Sequence, residues 1–304
     1  MTTARRKLGL TVLDLRRLRL LSELANRGTI SEVARVVGYT PSAISQSLAQ
    51  LEREAGVALL ERDGRRVRLT EAAHRLVART ERALAELDAA EADLAAEQGT
   101  VRGDVVIGAF PTAAARLVIP AIRELAARHA ELTCTVREHE PEDGIALLRS
   151  GELDLLVSES YDDDPAATGG LDRHLLMTEP LLLVLAGDHP AREPVALSSL
   201  AGAAWIGGLA GTQFAAAVEQ ACRAAGFAPR VAHRADDADL HRSLAAAGLG
   251  IGLLPELACS GPEDVRYARA TPSPPRRHVW ALLRRGAARR PALAAALDAL
   301  RRRA

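Results

Sequence analysis

The sequence predicts an α/β body over residues 100–304, carried behind an all-α head (1–70) and a single long helix (71–99). Three observations predict it. Apolar residues recur every three or four positions through the first hundred residues, the period of helices that bury one face. From Val105 onward, short β-rich runs alternate with helical stretches, the order expected of a sheet covered by helices. Charge divides along the same boundaries, although 39 basic and 39 acidic residues cancel overall. Residues 1–70 hold 13 Lys/Arg against 7 Asp/Glu, a net of +6, while residues 101–275 hold 14 against 24, a net of −10. Residues 71–100 are net −4 (3 against 7) and residues 276–304 net +8 (9 against 1). A basic module joined to an acidic body is the pattern of a protein of which one part meets a polyanion.

The composition, 48% hydrophobic and 26% charged, is that of a globular chain and not of a disordered one. The apolar run Leu181–Ala186 is far short of the ~20 residues that span a bilayer. No apolar stretch of signal-peptide length follows Arg5-Arg6-Lys7. Cys134, Cys222 and Cys259 are odd in number and widely spaced, so neither a disulfide framework nor a metal site is expected. Secretion and membrane insertion are therefore not expected, and the expected compartment is the cytoplasm.

Within the head, Leu13, Leu15, Leu18, Leu20, Leu21 and Leu24 fill one face of a first helix that stops at Asn26-Arg27-Gly28. Thr29 and Glu32 have the spacing of a capping box and open a second helix. Gly38 supplies a sharp turn, and Thr40 followed by Pro41 starts a third helix as N-cap and first helical residue. Ile44, Leu48 and Leu51 face inward, leaving Ser42, Ser45, Gln46 and Ser47 on the outer N-terminal face. Short hydroxyls and a planar amide there, in place of the usual Glu/Lys/Arg mixture, suit a helix that enters the major groove. Gln pairs bidentately with adenine, and Ser serves several bases. A hairpin turning at Asp63-Gly64 follows, with Arg65 and Arg66 placed to hold phosphates. The expected double-stranded DNA contacts are Ser31, Thr40, Pro41, Ser42, Ser45, Gln46, Gln50, Arg53, Arg65 and Arg66. The competing use of such a hairpin of helices is contact with another protein.

The stretch ISEVARVVGYTPSAISQSLAQLEREAGVALLERDGRRVRLTEAA, residues 30–73, resembles the winged helix-turn-helix of the LysR-type transcriptional regulators. Matching points are Ala34, Ser45, Leu51-Glu52, Gly56, Leu59, Arg62 and Leu69-Thr70. Leu60 and Ala73 depart from the family's usual Phe and Gly, and both are changes of packing away from the DNA face. The resemblance extends more weakly over the whole chain. It implies a sequence-specific regulator of promoters whose activity a small-molecule effector modulates, with RNA polymerase as a further partner.

Thr70 caps the long helix, in which Leu76, Thr80, Ala83, Leu87, Ala90 and Leu94 form an a/d seam of nearly three heptads. Such a seam either pairs two copies or lies on its own protein. The resemblance implies pairing, with Leu76, Ala83, Leu87 and Leu94 at the interface of a homodimer or homotetramer. One module also reads too few base pairs to be selective alone. Glu97-Gln98-Gly99-Thr100 is the expected hinge to the body.

In the body, strands are expected at Val105–Gly108, Leu132–Glu138, Leu153–Val157, Leu181–Ala186, Ala204–Ile206, Ile251–Leu254 and His278–Leu283. Helices are expected at Thr112–Arg128, Pro141–Ser150, Thr212–Ala225, Asp236–Ala247 and Pro291–Arg303, which together argue a parallel sheet. The resemblance implies an effector domain of periplasmic-binding-protein type, with two lobes around a cleft. Lobe I is expected over about 100–161 plus 271–304 and lobe II over about 162–270. Its matching features are Gly151-x-Leu153-Asp154, Asp188-His189-Pro190 and Gly248 through Pro255. The last fails the dinucleotide fingerprint, because Leu253 stands where that pattern needs glycine, and reads instead as a glycine-eased strand facing the cleft.

Ligands of open α/β sheets sit at the carboxyl ends of strands, where helix N-termini offer free amides. The expected effector contacts are Thr112 with the amides of Ala113 and Ala114, Ser158, Gly208, Thr212, Gln213 and His233. No arginine is fixed there by a motif, so the effector's charge is not legible. No G-x-S-x-G, P-loop, H-E-x-x-H or zinc-spaced set occurs, so no catalytic residue, cofactor or metal ligand is expected. The alternatives are a small-molecule-binding enzyme or a thiol redox sensor on the same C-terminal fold. The polar cluster Asp236, Asp237, Asp239 and His241 reads as a solvated helix start, and the cysteines as buried, inert thiols.

Overall fold

The structure, a computed structural model, describes residues 13–63, 66–97, 101–161, 170–259, 264–274 and 276–304. Of the expected hinge Glu97-Gln98-Gly99-Thr100 only Glu97 is described, and Gly64 and Arg65 of the hairpin turn also lie outside the described residues.

The head comprises α1 (Leu15–Arg27), α2 (Ile30–Val37), α3 (Pro41–Ala55) and the antiparallel hairpin β1 (Leu60–Asp63) and β2 (Arg66–Leu69). Asp14 caps α1 by accepting the amides of Arg16 and Arg17. Thr29 caps α2 through Glu32 N at 3.2 Å, but only this half of the expected box forms, since the Glu32 carboxylate pairs with Arg35 at 2.8 Å. Gly38 takes φ of +70°, a left-handed conformation that a side chain would strain, and so turns the chain into α3. Leu20, Leu21, Leu24, Val33, Ala34, Ile44, Leu48, Leu51 and Leu59 form one core, with Ala73 and Val77 of α4 (Glu71–Glu97) in it. The first turns of the long helix therefore belong to the head, and a boundary at residue 70 would cut through its core.

The body then runs β3 (Gly103–Ala109), α5 (Pro111–Ala113), a five-residue π-helical turn (Ala114–Val118), α6 (Ile119–Arg128), β4 (Leu132–Glu138), α7 (Pro141–Ser150), β5 (Leu155–Ser160) and β6 (Leu171–Glu179). It continues with β7 (Leu181–Ala186), β8 (Val195–Ala196), β9 (Ala204–Gly207), α8 (Gln213–Ala224), β10 (Arg230–Arg234), α9 (Ala238–Ala246) and β11 (Ile251–Pro255). It closes with β12 (Val265–Ala268), β13 (Ala270–Thr271), β14 (Arg277–Arg284) and α10 (Pro291–Arg301).

Two five-stranded sheets result, ordered β4-β3-β5-β14-β6 and β10-β9-β11-β7-β12. Neither is wholly parallel. β3 is parallel to β4 and β5, while β14 runs antiparallel to β5 and β6. In the second sheet β7 runs antiparallel to β11 and β12. The antiparallel strands are those by which the chain passes between lobes. β6 is the main correction to the expected lobe boundaries: residues 171–179 pair with β14 in the first sheet, so lobe II begins after Pro180 and not at 162. Its mixed polarity, LDRHLLMTE, shows neither clean alternation nor a continuous apolar run, which is why it carried no strand signal. Each lobe has its own core. Ile107, Leu117, Leu125, Leu155, Val157 and Leu293 lie in the first, and Leu183, Leu185, Trp205, Ile206, Val218 and Leu253 in the second.

Candidate nucleic-acid interface and interlobe cleft

On the head, Ser31, Thr40, Pro41, Ser42, Ser45, Gln46 and Arg53 are all exposed. Thr40 Oγ1 accepts Ala43 N at 3.2 Å, so its hydroxyl oxygen sets the start of α3. Ser45 Oγ donates to Pro41 O at 2.9 Å, which leaves its lone pairs to accept from a base amino group. Gln46 makes no hydrogen bond to any described residue, so both ends of its amide are available. Gln50 is different. Its carbonyl accepts Arg53 Nε and Nη2 at 3.1 and 2.6 Å, and its amide donates to Glu54 at 3.1 Å. The structure therefore commits Gln50 and Arg53 to each other at the far end of α3. Arg66 opens β2 opposite Asp63.

Two features of this surface were not anticipated. Tyr39 is half exposed directly before the Thr40 cap. Glu52 Oε1 accepts the amides of both Leu59 and Leu60, at 2.8 and 3.0 Å, which fastens the hairpin to the reading helix. Charge-assisted bonds of this kind contribute about 1.5–3 kcal/mol each. Glu52→Ala is expected to lower stability by at least about 2 kcal/mol in urea unfolding. A loss below about 0.5 kcal/mol would show that the hairpin is held by its apolar residues alone.

In the body, the carboxyl ends of β3 and β5 face lobe II. Arg277, at the start of β14, is the centre of this region and is almost fully buried. It donates through Nε to Glu179 Oε1 (2.8 Å) and through Nη1 to Glu159 Oε2 (2.7 Å), and Nη2 reaches Thr112 Oγ1 at 3.4 Å. The Phe110 ring lies 4.9 Å from the guanidinium carbon. Burial raises the Glu159 carboxyl above its ordinary pKa, against the opposing pull of Arg277. Burial also raises the Tyr161 hydroxyl well above its usual value, with Glu159 adding to the shift.

The two lobes interlock around this triad. Tyr161 leaves β5 and packs on the core of lobe II, its ring 6.2 Å from that of Phe214 on α8. In return Leu257 packs on the core of lobe I, and its amide donates to Glu179 Oε2 at 2.5 Å.

The expected effector residues fall into two groups. Thr112 is at the cleft beside Arg277, with Ala113 fully buried behind it. The Ala114 amide is already spent on Phe110 O, so it offers no free donor. Gly208 accepts Arg234 Nη1, and a Cβ there would meet Phe214 and Asp236 at 2.8 and 2.9 Å. Thr212 caps α8 through Ala215 N, and Gln213 is exposed beside it. His233 is half-buried on β10, the edge strand of the second sheet.

Ser158 does not join them. It pairs with Trp280 across the ladder, one residue from Glu159, and successive strand residues point to opposite faces. Ser158 therefore lies on the face opposite the Thr112–Arg277 contact.

The helix-start cluster also disperses. Asp236 accepts Leu209 N, Asp237 caps α9 through Leu240 N, and Asp239 pairs with Arg242. His241 points inward, fully buried, with Nε2 3.1 Å from Ile206 O. The one glycine of β11 serves this packing and not the cleft: a Cβ on Gly252 would sit 2.3 Å from His241 Nε2. Among the described residues no group of His, Cys, Asp and Glu is placed to hold a metal.

Of the cysteines only Cys222 is buried, while Cys134 and Cys259 are half-buried. Burial raises the pKa of all three thiols, Cys222 to about 11 and Cys259 to about 12.

A family model for the bacterial regulatory helix-turn-helix protein of the lysR family matches residues 15–74, and one for the LysR substrate binding domain matches residues 98–304. The chain belongs to the LysR family. Like other LysR-type proteins, it is a DNA-binding transcriptional regulator with an effector-binding domain. It is 30% identical to the DNA-binding transcriptional dual regulator OxyR of Escherichia coli over 304 residues, covering 96% of each chain. It is 29% identical to the transcriptional dual regulator GltC of Bacillus subtilis over 247 residues, covering 80% of this chain and 81% of that one. Its fold is that of a full-length OxyR variant from Pseudomonas aeruginosa (TM-score 0.71, 22% identity, 95% of both chains). CbnR, a LysR family regulator solved in complex with its target DNA, has a TM-score of 0.55 at 22% identity over 95% of this chain and 99% of that one. Among the described residues of this LysR-type chain no helix is long and apolar enough to cross a membrane.

Proposed function

We propose that this regulator reads base edges with Ser42, Ser45 and Gln46 and holds phosphates with the hairpin. In this reading α4 pairs two subunits, and a small molecule between the lobes changes how those subunits present their heads. The observation that carries the reading is the exposed, uncharged N-terminal face of α3, in which Gln46 is uncommitted. Ala83, Leu87 and Leu94 of the α4 seam are exposed and supply the subunit contact, whereas Leu76 is half-buried against the head core and Thr80 is buried. RNA polymerase is the partner through which bound regulator changes transcription, and the cytoplasm is its compartment. The effector lies between Thr112 and the Thr212–Gln213 turn, over Tyr161 and Phe214. Arg277 already serves two carboxylates, so an anionic effector reaches it only by displacing Glu159. Ligand control requires that the effector bind one arrangement of subunits more tightly than the other.

The thiol-sensor alternative is disfavoured because the peroxide-reactive species is the thiolate, and burial holds all three thiols protonated. No catalytic residue or cofactor is assigned.

The test is binding to the chain's own upstream intergenic DNA against random DNA of equal length, titrated with salt. A specific complex is expected. Gln46→Ala is expected to lower affinity for the specific fragment by about 10- to 100-fold, the worth of one bidentate base contact, while leaving random-DNA affinity unchanged. Equal loss on both would remove Gln46 from base reading, and no binding at low salt would overturn the assignment of α3.

A further inference from the structure

We infer that the corner of lobe I formed by Ser150, Gly151 and Glu152 is a docking surface for the DNA-reading head of the same chain, with Arg27 as the side chain that seats it. Arg27 is in the last turn of α1, immediately before the Gly28 cap. A terminal arginine of this kind is ordinarily solvated, yet its side chain is only 15% exposed. Its Nε donates to Glu23 at 2.7 Å, and its Nη2 meets Glu152 Oε1 on the other domain. One guanidinium thus stands between two carboxylates, and without it Glu23 and Glu152 would face each other unscreened.

Glu152 is presented by a corner that has little freedom to move. Ser150 Oγ lies 3.1 Å from Glu152 Oε1, and the Glu152 amide donates to Leu147 O at 3.0 Å. Arg284 Nη1 donates to both Leu148 O (2.9 Å) and Leu153 O (2.8 Å), tying the corner to the end of β14. Asp154 accepts Val106 N at 3.0 Å and pairs with Arg290 at 3.2 Å. A second contact falls on the same end of the lobe, where α4 packs on the Ala287–Arg289 turn between Arg284 and Arg290. Thr80 of α4 is 3% exposed. The head, through Arg27, and the long helix that continues from it are therefore held against the same end of the lobe.

The location gives the contact its use. Glu152 and Asp154 lead into β5, whose other end carries Glu159, and Arg284 ends β14, which begins at Arg277. The docking corner and the Arg277 triad are thus opposite ends of one antiparallel strand pair. The contact sets the orientation of α1, and with it of α3, relative to the lobe that holds the cleft.

The test is hydrogen–deuterium exchange on the full-length protein, following the amides of α1's last turn and of residues 148–153. Glu152→Arg and Arg27→Glu each place like charges together, and each is expected to speed exchange at both segments on the order of fivefold, the size of coupling found between contacting charged residues. Exchange in β5 and β14 reports whether the lobe itself remains folded. The combined Arg27→Glu, Glu152→Arg chain rebuilds the ion pair between head and lobe with its charges reversed, while leaving two carboxylates one turn apart on α1, at positions 23 and 27. It is expected to recover part of the slow exchange at both segments. Unchanged exchange in both single variants, or a combined variant as fast as the two singles together, would overturn the docking surface.

Discussion

Replacing Arg277 with alanine is expected to destabilise the body by about 3–5 kcal/mol, the cost of leaving buried charges without their partner. Glu179 is 1% exposed and the Glu159 side chain 17%, so water cannot take over the role of the guanidinium. The pH dependence follows from the same geometry. Burial already raises the Glu159 carboxyl with Arg277 in place, and without that counter-charge it titrates higher still, so the folded variant takes up a proton before the unfolded chain does. Relative to the parent, Arg277→Ala should therefore recover stability as pH falls from 7 toward 5. Arg277→Met combined with Glu159→Gln and Glu179→Gln removes the charges together and is expected to regain most of the loss. Urea unfolding at pH 7 and pH 5 checks all three statements. A loss under about 1 kcal/mol at pH 7, the worth of a solvated ion pair, would mean that the triad is open to water and does not fasten the lobes.

The second large effect is the protonation of His241. Burial pushes its pKa down to about 4, with Ile206 O opposing the shift, against an unfolded value of about 6.5. Above pH 6.5 the imidazole is neutral in both states and contributes no slope. Below it the unfolded chain gains a proton that the folded chain refuses, so stability falls until about pH 4. The total is about 3 kcal/mol, taking about 1.4 kcal/mol per pKa unit. His241→Gln keeps a nitrogen near Ile206 O without the titration and is expected to flatten the difference in stability between pH 7 and pH 5. An unchanged slope in that variant would transfer the acid sensitivity to other groups.

How much of this was legible in the chain depends on how far each feature reaches. Thr29, Thr40 and Thr70 cap helices through amides three residues away, so spacing alone locates them. The exposure of Ser42, Ser45 and Gln46 follows equally from Ile44, Leu48 and Leu51 being buried on the other side of the same helix. The second half of the Thr29–Glu32 box was misread because Arg35, one turn on, competes for the carboxylate. The bonds of Gln50 to Arg53 and Glu54 were equally out of reach of spacing alone, since each side chain there has several partners within a turn.

The cleft was legible only in part. Thr112 and Thr212 are helix starts and could be found locally, but Arg277 is 118 residues from Glu159 and 98 from Glu179. The available signal was a charged residue at or next to the end of a strand, at Glu159, Glu179 and Arg277 alike. No spacing rule joins the three.

The sequence by itself determined the head, its reading face, the long helix and the alternation of strands and helices, because periodicity, caps and turns act over a few residues. Tertiary structure alone decided that β6 belongs to lobe I, that Ser158 turns away from Thr112, and that His241 needs the space left by Gly252. It alone seated Arg27 on Glu152. In each case the deciding partner is brought near by the pairing of strands or the stacking of helices, and the energy of the contact exists only once the chain has closed.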